Sequence, residues 1–135
     1  MTAGSSGTPL SRKLGLRPGE PLLVLGDPLG FDPDGLGTPV DRTPQGDYPV
    51  VLLFCPDAAT LARQFEIAKS AHTTAGCIWV CWPKRSSAIS TDLTDQAVRG
   101  FGLDHGRVDV KVAAIDSTWS GLKFVTRLTD RGQTR

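Results

Sequence analysis

Three stretches of the chain are almost unbroken runs of apolar residues: Leu22 to Leu25, Tyr48 to Phe54 and Cys77 to Trp82. Continuous runs of this length fit strands covered on both faces, as in a parallel sheet between helices. Pro49 marks the start of the second run, where a missing N–H does least harm. Between the second and third runs the period changes. Leu61, Phe65 and Ala68 form one stripe of a helix from Ala58 to about Ala71, with Asp57 as its N-cap. Arg63, Glu66 and Lys69 lie off the stripe, where i,i+3 pairing is available. A second helix is predicted to carry Leu93, Ala97, Val98 and Phe101, capped by Thr91 or Asp92 and weakened at its end by Gly100 and Gly102.

The last third alternates. Val108, Val110, Val112 and Ala114 interleave with Asp109, Lys111, Ala113 and Ile115, and a polar loop from Ser117 to Gly121 leads into Leu122 to Leu128. Two such strands joined by a tight loop predict an antiparallel hairpin. The segment from Gly30 to Asp47 is rich in Gly, Pro and Asp and offers at most a short edge strand at Thr38 to Asp41. Strand, helix, strand, helix and hairpin together predict a three-layer α/β sandwich, mostly parallel, with one antiparallel C-terminal strand. Residues 1–12 read as a flexible arm, 13–128 as one domain and 129–135 as a frayed tail.

Composition narrows the setting. The 135 residues suffice for one core, and 15 Lys+Arg against 14 Asp+Glu leave a net charge of +1, which speaks against a dedicated nucleic-acid or membrane-surface binder. No apolar run approaches the roughly 18 residues of a membrane span. Cys55, Cys77 and Cys81 form no Cys-x-x-Cys pair and have no His at zinc-ligand spacing, so they read as reduced apolar residues without a metal. The expected location is the cytoplasm.

Several motifs carry a resemblance. Leu14-Gly-x-x-Pro-Gly19, the following apolar strand and Gly26-x-Pro-x-Gly-Phe31 are similar to the opening of class I S-adenosylmethionine-dependent methyltransferases. Gly7-Thr-Pro-Leu10, Trp82-Pro-Lys84, Thr91-Asp-Leu-Thr94, Val108-Asp-x-Lys-Val112 and Asp116-x-Thr-Trp-Ser-Gly121 resemble, over residues 8–128, a bacterial family known as domain of unknown function 3052. The resemblance implies a reduced Rossmann-like fold, with a reversed final strand inserted into the sheet. It also implies S-adenosylmethionine as the cofactor to consider, near Gly26, Gly30 and Asp41. The chain departs from the methyltransferase pattern after the first strand, where Pro28 has no N–H to donate and Leu29 adds bulk. About eight residues separate Asp41 from the next strand, fewer than the roughly 10–12 of a helical crossover, so one strand–helix unit is missing from the cofactor half. Asp41 either imitates the acid that grips a ribose or ends an edge strand in solvent.

In an open α/β sheet, ligands sit outside the carboxyl ends of the parallel strands. That rule gathers Asp27, Lys84, Arg85, Asp92, Asp116, Trp119 and Ser120 as ligand-binding candidates. Lys84 would hold an anionic group or act as a base, Asp116 would be its partner, and Trp119 would form a platform for a planar ligand. The competing reading has Lys84 and Asp116 paired over the strand ends, with Trp119 as a lid on the core. His72, at a helix C-terminus, suits an imidazolium; Asp109 and Lys111 share a strand face. His72 and His105 lack a Ser or Cys partner in sequence, so no catalytic residue is assigned. The sequence therefore predicts a non-catalytic module binding an unknown small molecule or protein, with no cofactor assigned by motif. A small S-adenosylmethionine-dependent enzyme using the same crevice is the alternative.

Overall fold

A computed structural model describes residues 9–127. Its strands are β1 (Leu22–Leu25), β2 (Val40–Asp41), β3 (Tyr48–Phe54), β4 (His72–Pro83), β5 (Arg107–Ala114) and β6 (Trp119–Thr126). Its helices are α1 (Leu10–Leu14), α2 (Ala58–Ala71) and α3 (Asp95–Asp104), with a single 3-10 turn at Pro33–Leu36. The six strands form one sheet in the order β2-β1-β3-β4-β6-β5. β1 pairs in parallel with both β2 and β3, and β3 with β4; β6 is antiparallel to β4 and β5. This is the expected mostly parallel sheet, with the reversed strand lying inside it. β5 therefore runs the same way as β1, β3 and β4.

The sheet has an apolar layer on each face. Leu23, Val51, Leu53, Ile78, Val80, Leu122 and Phe124 pack beneath α2 and α3, through Leu61, Phe65, Ala68 and Val98. On the other face Leu22, Val24, Leu52, Phe54, Trp79, Cys81 and Trp119 pack under Leu14, Phe31 and Leu36. The Trp79 indole donates to the Leu14 carbonyl at 3.2 Å and ties α1 to the sheet. Leu10 packs on this face, so the arm expected to reach residue 12 gives way to a helix at Leu10. Residues 1–8 and 128–135, including the rest of that arm, the proposed tail and Leu128, lie outside the described residues.

The β1–β2 connection holds only the 3-10 turn, and residues 42–47 between β2 and β3 contain no helix. The missing strand–helix unit expected from the spacing is thus absent from the described chain. Among the described residues no helix is long and apolar enough to cross a membrane.

Four local expectations change. α3 is capped by Thr94, whose hydroxyl accepts from the Ala97 N–H at 3.1 Å, because Thr91 accepts from the Leu93 N–H instead and Asp92 is engaged elsewhere. The hairpin loop is shorter than Ser117 to Gly121, since β6 already begins at Trp119. In β5 the register slips between Asp109, opposite Phe124, and Lys111, opposite Lys123. Val110 is the extra residue of this bulge. The slip puts Asp109 on the α3 side, where its carboxylate takes the Arg99 Nε–H at 2.8 Å, and sends Lys111 to the opposite side. The shared face expected for those two residues is therefore lost. Finally, Arg107 Nε–H donates to His72 Nε2 at 2.9 Å while the other ring nitrogen meets the Thr73 carbonyl at 2.6 Å, an arrangement for neutral imidazole rather than imidazolium.

Candidate functional site

The chain leaves β1 over the Phe31–Leu36 face to reach β2, and leaves β3 over the opposite face, through α2, to reach β4. The direction of winding thus reverses between β1 and β3, and ligands of open α/β sheets bind at such a point. Its floor is the turn at Gly26, where φ is 72° and a Cβ would lie 3.0 Å from the Phe54 carbonyl oxygen. Glycine is required there for both reasons. Gly30 has φ 90° and closes the next turn, with the Phe31 N–H donating to the Pro28 carbonyl. Phe31 then leans on Phe54, ring centroids 4.9 Å apart, and Phe54 meets Trp119 edge-on at 5.2 Å.

Asp27 stands next to the Gly26 turn, half-buried, with Arg42 bonded to its carboxylate through Nε and Nη2 at 3.2–3.3 Å. Asp41 is placed differently. It sits level with Leu23, two rows short of the end of β1, and accepts from the buried Tyr48 hydroxyl. That hydroxyl also accepts from the Gln45 N–H. Burial, then the bond to Asp41, raises the Tyr48 pKa. Asp41 ends the short edge strand β2, as expected, but it is half-buried and engaged by the Tyr48 hydroxyl rather than open to solvent. Arg42 and Tyr48 carry this arrangement, and nothing in the local spacing advertises either.

The remaining candidates divide between places. Lys84, Arg85 and Ser120 come together in a cleft of about 550 Å³ on the α3 side, walled by Trp82, Leu93 and Val112. Asp92 is turned toward α2 and takes the Ala58 N–H at 2.9 Å. Beside it, Asp57 caps α2, and bonds from the Thr60 hydroxyl and N–H lower its pKa. Asp116 accepts from the Thr118 and Trp119 N–H groups at 2.8 Å each and shapes the hairpin loop. The expected Lys84–Asp116 pair does not form, because that carboxylate is directed into its own loop. The two segments meet instead through the backbone, Lys84 N–H to Thr118 O, at 2.8 Å.

Trp119 is 5% exposed on the face opposite the Lys84 cleft. It covers the core as a lid rather than offering a platform. The strand alternation decides this: Ser120 shares the Trp82 side and Trp119 the Phe54 side. Burial raises the three thiols, Cys55 to about 12, Cys77 to about 11 and Cys81 well above its ordinary value. Among the described residues no cluster of three or more His, Cys, Asp or Glu is arranged to hold a metal.

With this geometry in hand, solved structures supply the comparison. The DhpI–SAH complex has a TM-score of 0.61 at 10% identity, covering 88% of this chain and 82% of its own. The fold is Rossmann-like, of the methyltransferase kind. Precorrin-6y C5,15-methyltransferase from Geobacter metallireducens GS-15 has a TM-score of 0.56 at 15% identity, covering 87% and 86%. The B. subtilis M1A22 tRNA methyltransferase TrmK has a TM-score of 0.53 at 7% identity, covering 90% and 65%. No protein-family model and no curated protein matches the chain, so the likeness to domain of unknown function 3052 rests on its motifs alone.

Proposed function

We propose that the chain is a small S-adenosylmethionine-dependent methyltransferase whose cofactor occupies the crevice above β1 and β3. The observation that carries this reading is the glycine turn at Gly26, ending in the Asp27 carboxylate, at the reversal point of the sheet. The likeness to a scaffold solved with SAH adds to it. The residues present fit an S-adenosyl group through Asp27 rather than Asp41. Asp27 offers a carboxylate to ribose hydroxyls or to an ammonium, and the edge of Phe31 offers an apolar wall for a purine. Gly26 lets the backbone come close. Bound there, the cofactor would supply an electrophilic methyl group.

A second reading, a binding module without methyl transfer, is favoured by one observation. Each carboxylate along this rim is already held: Asp27 by Arg42, Asp57 by Thr60, Asp92 by Ala58 and Asp116 by the hairpin loop. No free base stands among them.

Thermal unfolding with added S-adenosylhomocysteine tests the cofactor site. Ligand at a hundred times its Kd adds about 2.7 kcal/mol of stability. Asp27→Ala abolishes that shift and Asp41→Asn retains it, since Asn still accepts from Tyr48. Stabilisation without any transfer from S-adenosylmethionine to acceptor candidates selects the second reading. No stabilisation by either compound at millimolar concentration removes the cofactor.

A further inference from the structure

The cleft beside α3 does not depend on the cofactor reading, and its charges do not balance. Its lining brings together Lys84 and Arg85, and its only acid is Asp95. Asp95 shares one guanidinium with Asp109, Arg99 Nη1 lying 2.9 Å from the first carboxylate and Arg99 Nε 2.8 Å from the second, so the cations still outnumber the acids around the cleft. The two other acids on adjoining loops are turned away, Asp92 onto the Ala58 N–H and Asp116 onto the Thr118 and Trp119 N–H groups. Neither Lys84 nor Arg85 forms an ion pair among the described residues. Two cations thus face one cleft in a chain whose net charge is only +1.

The opposite wall has a different chemistry. Val112 stands 53% exposed on the outer strand, beside Trp82 and Leu93, whose side chains are each only 5% exposed. The bulge at Val110 is what brings Val112 to this side, opposite Leu122, rather than to the face of Lys111. Ser120 adds a hydroxyl to the same lining. An inorganic anion would use the cations and leave the apolar wall wet; a neutral apolar molecule would do the reverse.

We propose that this cleft binds a small organic anion, a carboxylate or phosphate monoester attached to a flat or branched apolar body. The anionic group lies at Lys84 and Arg85 and the body against Val112, with only the margins of Leu93 and Trp82 beneath it. Arg85 provides a planar fork for two oxygens and Lys84 a point charge. The binding stands without the methyltransferase reading.

The test is a titration of the whole chain with 1-naphthyl phosphate, 1-naphthoate, 1-naphthol and inorganic phosphate, followed by amide and indole NMR shifts. The two organic anions are expected to bind at least ten times more tightly than either naphthol or phosphate, and the tighter of the two tells phosphate ester from carboxylate. Lys84→Ala/Arg85→Ala is expected to weaken the organic anions at least tenfold with unchanged melting temperature. Val112→Glu is expected to weaken them similarly. Lys123→Ala, a cation on the other face, is expected to leave them unchanged. Equal binding of naphthol and naphthyl phosphate overturns the proposal, as does equal loss in Lys123→Ala or full affinity in the double variant. S-adenosylhomocysteine binding in the double variant separates failure here from failure of the cofactor site.

Discussion

Two glycines in α3, two residues apart, should respond to alanine with opposite signs. Glycine within a helix costs about 1 kcal/mol relative to alanine, chiefly through backbone entropy. Gly100 is exposed, and an added Cβ meets nothing within 4 Å, so Gly100→Ala should recover most of that amount. At Gly102 the same methyl group would lie 2.0 Å from Phe124 Cε1, 2.5 Å from Cζ and 2.6 Å from Cδ1. Ordinary carbon contacts need about 3.5–4.0 Å. Phe124 is fully buried and set edge-on to Phe65, so its ring has nowhere to turn. The helix must lift from the sheet instead. Overpacking of this kind costs about 1–3 kcal/mol, which offsets or exceeds the propensity gain. At roughly 3–5 °C per kcal/mol for a domain of this size, Gly100→Ala should melt about 2–5 °C higher than wild type. Gly102→Ala should melt at or below it, by up to about 10 °C. Thermal and urea unfolding followed by circular dichroism measure both. A Gly102→Ala protein as stable as Gly100→Ala would refute the packing of α3 on Phe124.

Other consequences follow from the same coordinates. Because burial holds the thiols at about 12 for Cys55 and about 11 for Cys77, with Cys81 higher still, iodoacetamide at pH 8 should label none in the native protein and all three after unfolding. Those raised values make stability complete below the ordinary thiol value of 9.0 and lost as pH rises beyond it, because the unfolded chain releases thiol protons first; alkaline urea titrations check this. Asp57 has the opposite sign. Its lowered carboxyl pKa makes the cap of α2 fully effective above the ordinary carboxylate range and lost on acidification, so Asp57→Asn should flatten the acid limb of the stability profile. Trp119→Ala should cost about 3–5 kcal/mol in urea unfolding and leave naphthyl phosphate affinity unchanged, since that ring fills the opposite face.

The strands of the core were legible because their side chains have one job. Val51, Leu53, Ile78 and Val80 are buried under α2 and α3, and Val50, Leu52 and Trp79 on the reverse face, so both alternate sets had to be apolar. Asp57 was legible as a cap for an equally local reason. β5 misled because a single inserted residue, Val110, reverses which face the following side chains occupy, and the alternation of valines looks regular through it. Trp119 misled because β6 begins three residues earlier than expected, which makes a loop ring a strand residue on the core face. The surroundings of the Gly26 turn are only partly legible. The turn glycines Gly26 and Gly30 stand out in sequence, but the Tyr48 hydroxyl that engages Asp41 and the Arg42 that reaches Asp27 depend on contacts between strands. Lys84, Arg85 and Ser120 line one cleft because they end neighbouring strands, whereas Asp116 and Asp92 serve backbone N–H groups that no spacing reveals.

The most direct measurement is an amide NMR titration of the full chain with S-adenosylhomocysteine. The account requires the largest shifts at Gly26, Asp27, Gly30, Phe31 and Asp57, with β5 and the α1 end of the sheet unmoved. Shifts confined to those distant regions, or a spectrum that does not change at millimolar ligand, would contradict it.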